Sequence, residues 1–101
     1  MPHFVIDCSE SIIELQTPEK IMQTVFDTAA STGLFAKKDI KVRIHPFQHY
    51  NIGDTKDDFI HIFANIMEGR TTEQKSDLSH KIVSALKTLF PNVPIISINV
   101  R

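Results

Sequence analysis

The sequence predicts an α+β fold of order βαββαβ, a four-stranded sheet with two helices on one face. Three observations predict it. Apolar residues occupy alternate positions in several short segments, and two longer segments carry apolar stripes at helical spacing. Their order along the chain is strand, helix, strand, repeated once.

The first strand spans residues 2–8, with Phe4, Ile6 and Cys8 on one side and His3 and Asp7 among the others. Thr17 then supplies an N-cap and Pro18 a proline at the first helical position. Ile21, Met22, Val25, Phe26, Ala29 and Ala30 follow at helical spacing, and Gly33 is the expected stop. From Asp39 the period changes to two, with Ile40, Val42 and Ile44 on one face and Lys41, Arg43 and His45 on the other. Residues 46–58 carry Pro46, Asn51, Gly53 and Asp54, and read as an irregular continuation of that strand and a turn.

Phe59 to Met67 forms the third predicted strand. Ile60, Ile62 and Ile66 lie against Phe59, Phe63 and Met67, so both faces should be covered. Gly69-Arg70 closes it, and Thr71-Thr72-Glu73-Gln74 has capping-box spacing ahead of a stripe of Leu78, Ile82, Val83, Leu86, Leu89 and Phe90. Pro91 and Pro94 end that helix. Ile95, Ile96, Ile98 and Val100 give a short terminal strand.

At 101 residues and 42% hydrophobic content, one domain over residues 1–101 is expected, with room for one modest core. Two helices on one face leave the other face open, so another subunit is expected to cover it. The formal charge of -1, from 11 Lys+Arg against 12 Asp+Glu, supplies no basic field for nucleic acid or an anionic membrane. No run approaches the roughly 20 apolar residues of a membrane helix. The lone Cys8 excludes an intrachain disulfide and a thiolate metal cage, and a cytoplasmic location fits it best. His3, His45, His49, His61 and His80 form no compact ligand motif, so no metal is expected, and the histidines read as strand and surface residues. A glycine-rich phosphate loop and a Gly-x-Ser-x-Gly elbow are both missing.

Pro2 is the first candidate for chemistry. Removal of Met1 would leave a secondary amine at the chain terminus, and a terminal amine ordinarily has a pKa of about 7.7 to 8.0, near enough to neutrality to act as a base. Its rigid ring would fix the lone pair at little entropic cost. The plainer reading is a proline that merely begins a strand. Lys41 and Arg43 share a strand face, and Arg70 precedes a helix N-terminus, a place suited to gripping a carboxylate. An alternating Lys and Arg also serves as a solvated strand face. Cys8, on the apolar side of the first strand, reads as buried and inert.

The opening Met1-Pro2-His3-Phe4-Val5-Ile6-Asp7-Cys8-Ser9, the Thr32-Gly33-Leu34-Phe35 turn, the Lys41-Val42-Arg43-Ile44-His45 strand and Gly69-Arg70-Thr71 together resemble the 5-carboxymethyl-2-hydroxymuconate delta-isomerase family. That family lies in the tautomerase superfamily with 4-oxalocrotonate tautomerase and macrophage migration inhibitory factor. The resemblance implies a catalytic proline at Pro2, a substrate-binding arginine at Arg70 and substrate-facing cations at Arg43 and Lys41. Lys41 stands where the family pattern has a second arginine, and lysine supplies charge without a bidentate fork. It further implies a homotrimer, no cofactor, and an unsaturated 2-hydroxy or 2-oxo (di)acid as substrate. Two other readings share these residues: a tautomerase acting on phenylpyruvate-like enols or on halogenated or unsaturated acids, and a ferredoxin-like ligand-binding module without catalysis.

Overall fold

The computed structural model describes residues 1–101. Strands form where the period of two holds: β1 (His3–Ser9), β2 (Lys41–Phe47), β3 (Phe59–Asn65) and β4 (Ile95–Val100). Between them lie a single turn of helix α1 (Ile12–Leu15), the longer α2 (Pro18–Ser31), a 3-10 turn at Lys37–Asp39, and α3 (Thr72–Leu89). The sheet order is β2-β1-β3-β4. β1 runs parallel to β2 and antiparallel to β3, and β3 runs parallel to β4. This is the expected pair of strand-helix-strand units joined edge to edge.

The caps follow the sequence. The Thr17 side chain accepts from the Lys20 amide with Pro18 inside the first turn of α2. Thr71 and Gln74 form the reciprocal capping box of α3. Gly33 at φ 73 follows α2, and Gly69 at φ 97 turns the chain from β3 toward α3, a region where a Cβ is strained.

Both long helices bury the same sheet face. Ile21, Val25 and Ala29 of α2 and Leu78, Ile82 and Leu86 of α3 join Phe4, Ile6, Cys8, Ile60, Ile62 and Ala64 in one core. Each large apolar side chain so buried contributes about 1.5–3 kcal/mol. No helix is long and apolar enough to cross a membrane.

Three details differ from the sequence reading. α1 and the 3-10 turn are additional, being too short to show a period. β3 stops at Asn65, and Met67 is 62% exposed. Asn65 is opposite His3, where β1 begins, so farther residues have no β1 partner. On the open face the apolarity of β3 is interrupted. Phe59 and Phe63 flank His61, and all three are half-buried.

Candidate active site

Four residues singled out in the sequence gather at the end of the sheet where β1 begins. Pro2 is buried just ahead of β1, although Met1 before it is 59% exposed. Its carbonyl accepts a 3.1 Å hydrogen bond from the Lys41 amide, tying the start of β1 to the start of β2. With Met1 in place the Pro2 nitrogen is a peptide nitrogen and has no basic lone pair.

The parallel register sets Lys41 beside His3 and Arg43 beside Val5. All four lie on the open face, because the alternate residues Phe4 and Ile6 are in the core. Lys41 Nζ donates to the Asp39 carbonyl at 3.2 Å and lies 3.6 Å from Met1 Sδ, so its ammonium reaches the residue whose removal would free Pro2. Arg43 is exposed, with its Nη1 at 3.1 Å from His3 Nδ1. Partial burial first, and then the charges of Arg43, Lys41 and the terminal ammonium, hold His3 below the usual imidazole value.

Arg70 approaches the same end from the helix side. Its Nη2 donates to the Leu34 carbonyl at 2.8 Å, and its guanidinium lies 5.5 Å from the centre of the Phe35 ring. Phe35 in turn packs edge-on against Phe4 at 6.0 Å. Arg70 Nε is buried and has no hydrogen-bond partner. No hydrogen bond joins Arg70 to Lys41 or Arg43. The structure therefore places the two sets of cations at one end of the sheet but on different faces of it.

None of these three cations has an acidic partner. The single ion pair of the chain is Lys81 with Asp77 at 3.1 Å, on the surface of α3. The end around Pro2 is consequently a cationic surface with free donors. Two residues to which the sequence reading gave no role in the site belong to it: His3, treated there as an ordinary strand histidine, and Phe35, quoted only within the Thr32-Gly33-Leu34-Phe35 turn. Their signal was adjacency, His3 to Pro2 and Phe35 to the turn before β2, but the contacts depend on strand register.

The remaining chemistry lies elsewhere. Burial, aided by Asp7, pushes the Cys8 thiol up to about 11, so it is not a thiolate near neutrality. His61 Nδ1 is 2.6 Å from Ser97 Oγ on the open face. No three His, Cys, Asp or Glu side chains converge as a metal site would require. A cleft of about 390 Å³ between Leu15, Asp58, Phe90 and Val93 is at the opposite end of the sheet from Pro2. A second, of about 420 Å³, lies by Leu34, Thr71 and Gln74, next to Arg70.

The pattern of the 5-carboxymethyl-2-hydroxymuconate isomerase family matches residues 2–95. The 5-carboxymethyl-2-hydroxymuconate Delta-isomerase of Escherichia coli is 29% identical over 92 residues, which cover 89% of this chain and 73% of that protein. Among solved structures, a 5-carboxymethyl-2-hydroxymuconate delta-isomerase superposes with a TM-score of 0.86 at 18% identity, covering 100% of this chain and 83% of its own. A fused 4-OT described as a symmetric trimer gives 0.81 at 11% identity, covering 98% of this chain and 83% of its own. At such identities the structural likeness speaks for the fold, and the family match over nearly the whole chain speaks for the chemistry. The chain is an isomerase and belongs to the 5-carboxymethyl-2-hydroxymuconate isomerase family.

Proposed function

We propose that this isomerase is cofactor-independent and moves a proton from the enol oxygen of an unsaturated 2-hydroxy diacid, of the 5-carboxymethyl-2-hydroxymuconate class, to a distal carbon, with the amine of Pro2 as base once Met1 is removed. The observation that carries this reading is a buried Pro2 beside cations that have no acidic partner within the chain. An unsatisfied cationic cluster around a would-be amine suits an anionic substrate that must give up a proton.

The chemistry balances without a co-reactant. The neutral amine takes the 2-hydroxyl proton, and the electron pair released on oxygen forms the ketone as the conjugated double bonds shift. The distal carbon takes the proton back from the ammonium, which regenerates the base. Lys41 and Arg43 would meet one carboxylate and the charge developing on the 2-oxygen. Arg70 would meet the distal carboxylate with the guanidinium charge that no acidic side chain neutralises. Apolar burial and nearby cations both disfavour an ammonium at Pro2, so its pKa should lie below the roughly 7.7 to 8.0 of an ordinary terminal amine. Activity should accordingly rise with pH through that ionisation.

The working unit in this proposal is a cytoplasmic homotrimer with sites between subunits. Its support is the open sheet face, which carries half-buried Val5, Phe47, Phe59 and Phe63, and the trimeric form of the fused 4-OT. Sedimentation at micromolar concentration should give three times the chain mass, and a stable monomer would remove the inter-subunit site.

The deciding experiment compares two samples verified by intact mass, one beginning at Pro2 and one retaining Met1. Ketonisation of a 2-hydroxymuconate-type enol should be roughly 10²- to 10⁴-fold slower in the sample that retains Met1, the usual worth of a positioned base. Equal rates would exclude Pro2 as the base.

A further inference from the structure

Arg43 and Lys41 are both cations of β2, but only Arg43 is held by a side chain of β1. A guanidinium always donates, so His3 Nδ1 is the acceptor in the 3.1 Å contact, and the imidazole is the neutral form with its proton on Nε2. The surroundings enforce that form. From β2, Lys41 and Arg43 face His3, and from β3 its register partner is the uncharged Asn65. No carboxylate is among them.

We propose that His3 is a positioning residue that fixes the guanidinium of Arg43 as a neutral acceptor, so that the fork is oriented toward a substrate carboxylate while its full positive charge remains available. The reading rests on the proposed function, in which Arg43 meets an anionic substrate. The choice of residue follows from electrostatics. An aspartate at position 3 would orient Arg43 equally well, but would cancel the charge the substrate is drawn to. An alanine would preserve the charge and release a long, flexible side chain, whose ordering the ligand would then have to supply. A half-buried imidazole depressed below its ordinary pKa does neither of these at neutral pH.

The test uses binding rather than turnover, so that it remains separate from the role of Pro2. Calorimetry at pH 7 measures adipate, an unreactive dicarboxylate, on the chain beginning at Pro2 and on its His3→Ala, Arg43→Gln and doubly substituted forms. His3→Ala should weaken adipate roughly ten-fold, and the double variant should bind no more weakly than Arg43→Gln alone, because His3 acts only through that arginine. His3→Asn, whose side-chain carbonyl can accept from Arg43, should recover affinity to within about three-fold of the parent. His3→Asp should bind at least as weakly as His3→Ala despite keeping an acceptor. A merely structural hydrogen bond gives the reverse order for Asp and Ala.

Losses that multiply in the double variant would overturn the proposal, since His3 would then act independently of Arg43. So would parent-like affinity in His3→Asp, or no adipate binding by the parent chain. The two readings fail in different ways. Coupled His3 and Arg43 effects in a protein that turns over no enol would sink the proposed function alone, and uncoupled effects in an active enzyme would sink this one.

Discussion

Where β1 ends, Asp58 accepts the hydroxyl hydrogens of both Ser9 and Ser11, and Ser9 Oγ accepts in turn from the Phe59 amide. Where β1 begins, about 20 Å away at ~3.3 Å per residue, Arg70 Nε is buried without a partner, and Lys41 and Arg43 face no carboxylate. Each end therefore holds polar chemistry against an apolar core, but only one end satisfies it internally. A closed network stabilises and orders the loop it joins, and an open set of donors remains available to a ligand. On this contrast, substitutions at the Pro2 end should change catalysis more than stability, and those at the Ser9 end the reverse.

Arg70 offers the largest break in that contrast after Pro2 itself. Arg70→Ala should lower kcat/KM for diacids roughly 10- to 100-fold, the worth of a hydrogen bond to a charged group, and less for mono-acids that lack the distal carboxylate. Equal losses for both would mean that Arg70 does not grip that group and serves only to hold Leu34 and Phe35. Ser9→Ala should do the opposite. Urea unfolding should show a loss of about 1–3 kcal/mol, because the Phe59 amide loses its partner, with kcat/KM per folded enzyme unchanged. A matching fall in turnover would show that the two ends are coupled.

The smallest expected effect is at Thr71, which caps α3 and directly follows Arg70. Thr71→Ala should cost about 1 kcal/mol of stability. If it also lowers turnover more than about three-fold, the helix cap fixes the arginine as well as the helix, and the division between ends becomes less sharp.

Much of the fold was legible because its signals are local. Thr17-Pro18 and Thr71-x-x-Gln74 mark helix starts by hydrogen bonds within one turn, and Phe4, Ile6 and Cys8 mark a buried strand face by alternation alone. Ile12–Leu15 is a single turn and carries no period to detect. Ile66 and Met67 prolong an apolar run past Asn65, where the strand loses its β1 neighbour, and only strand pairing reveals that limit. The cationic residues were legible by type. Their division between faces, the Arg70 contact with Leu34 and the pairing of His3 with Arg43 were not, because each depends on which strands are neighbours and in what register.

The parallel pairing of β3 with β4 brings Arg101 to the same end of the sheet as Pro2. The Arg101 amide donates to the Ala64 carbonyl at 2.8 Å, and Ala64 is opposite Phe4. Residue 101 thus lies two strands from β1 at the Pro2 end, where a fused segment would crowd it, whereas a tag before Met1 would keep the Pro2 nitrogen an amide. The segment between β2 and β3 is at the other end. There Ile52 and Thr55 close a small bridged turn in which Gly53, Asp54 and Thr55 are exposed. An inserted label or an immobilisation handle belongs in that turn, where it can report on the protein or anchor it to a surface with the whole length of the sheet between it and Pro2.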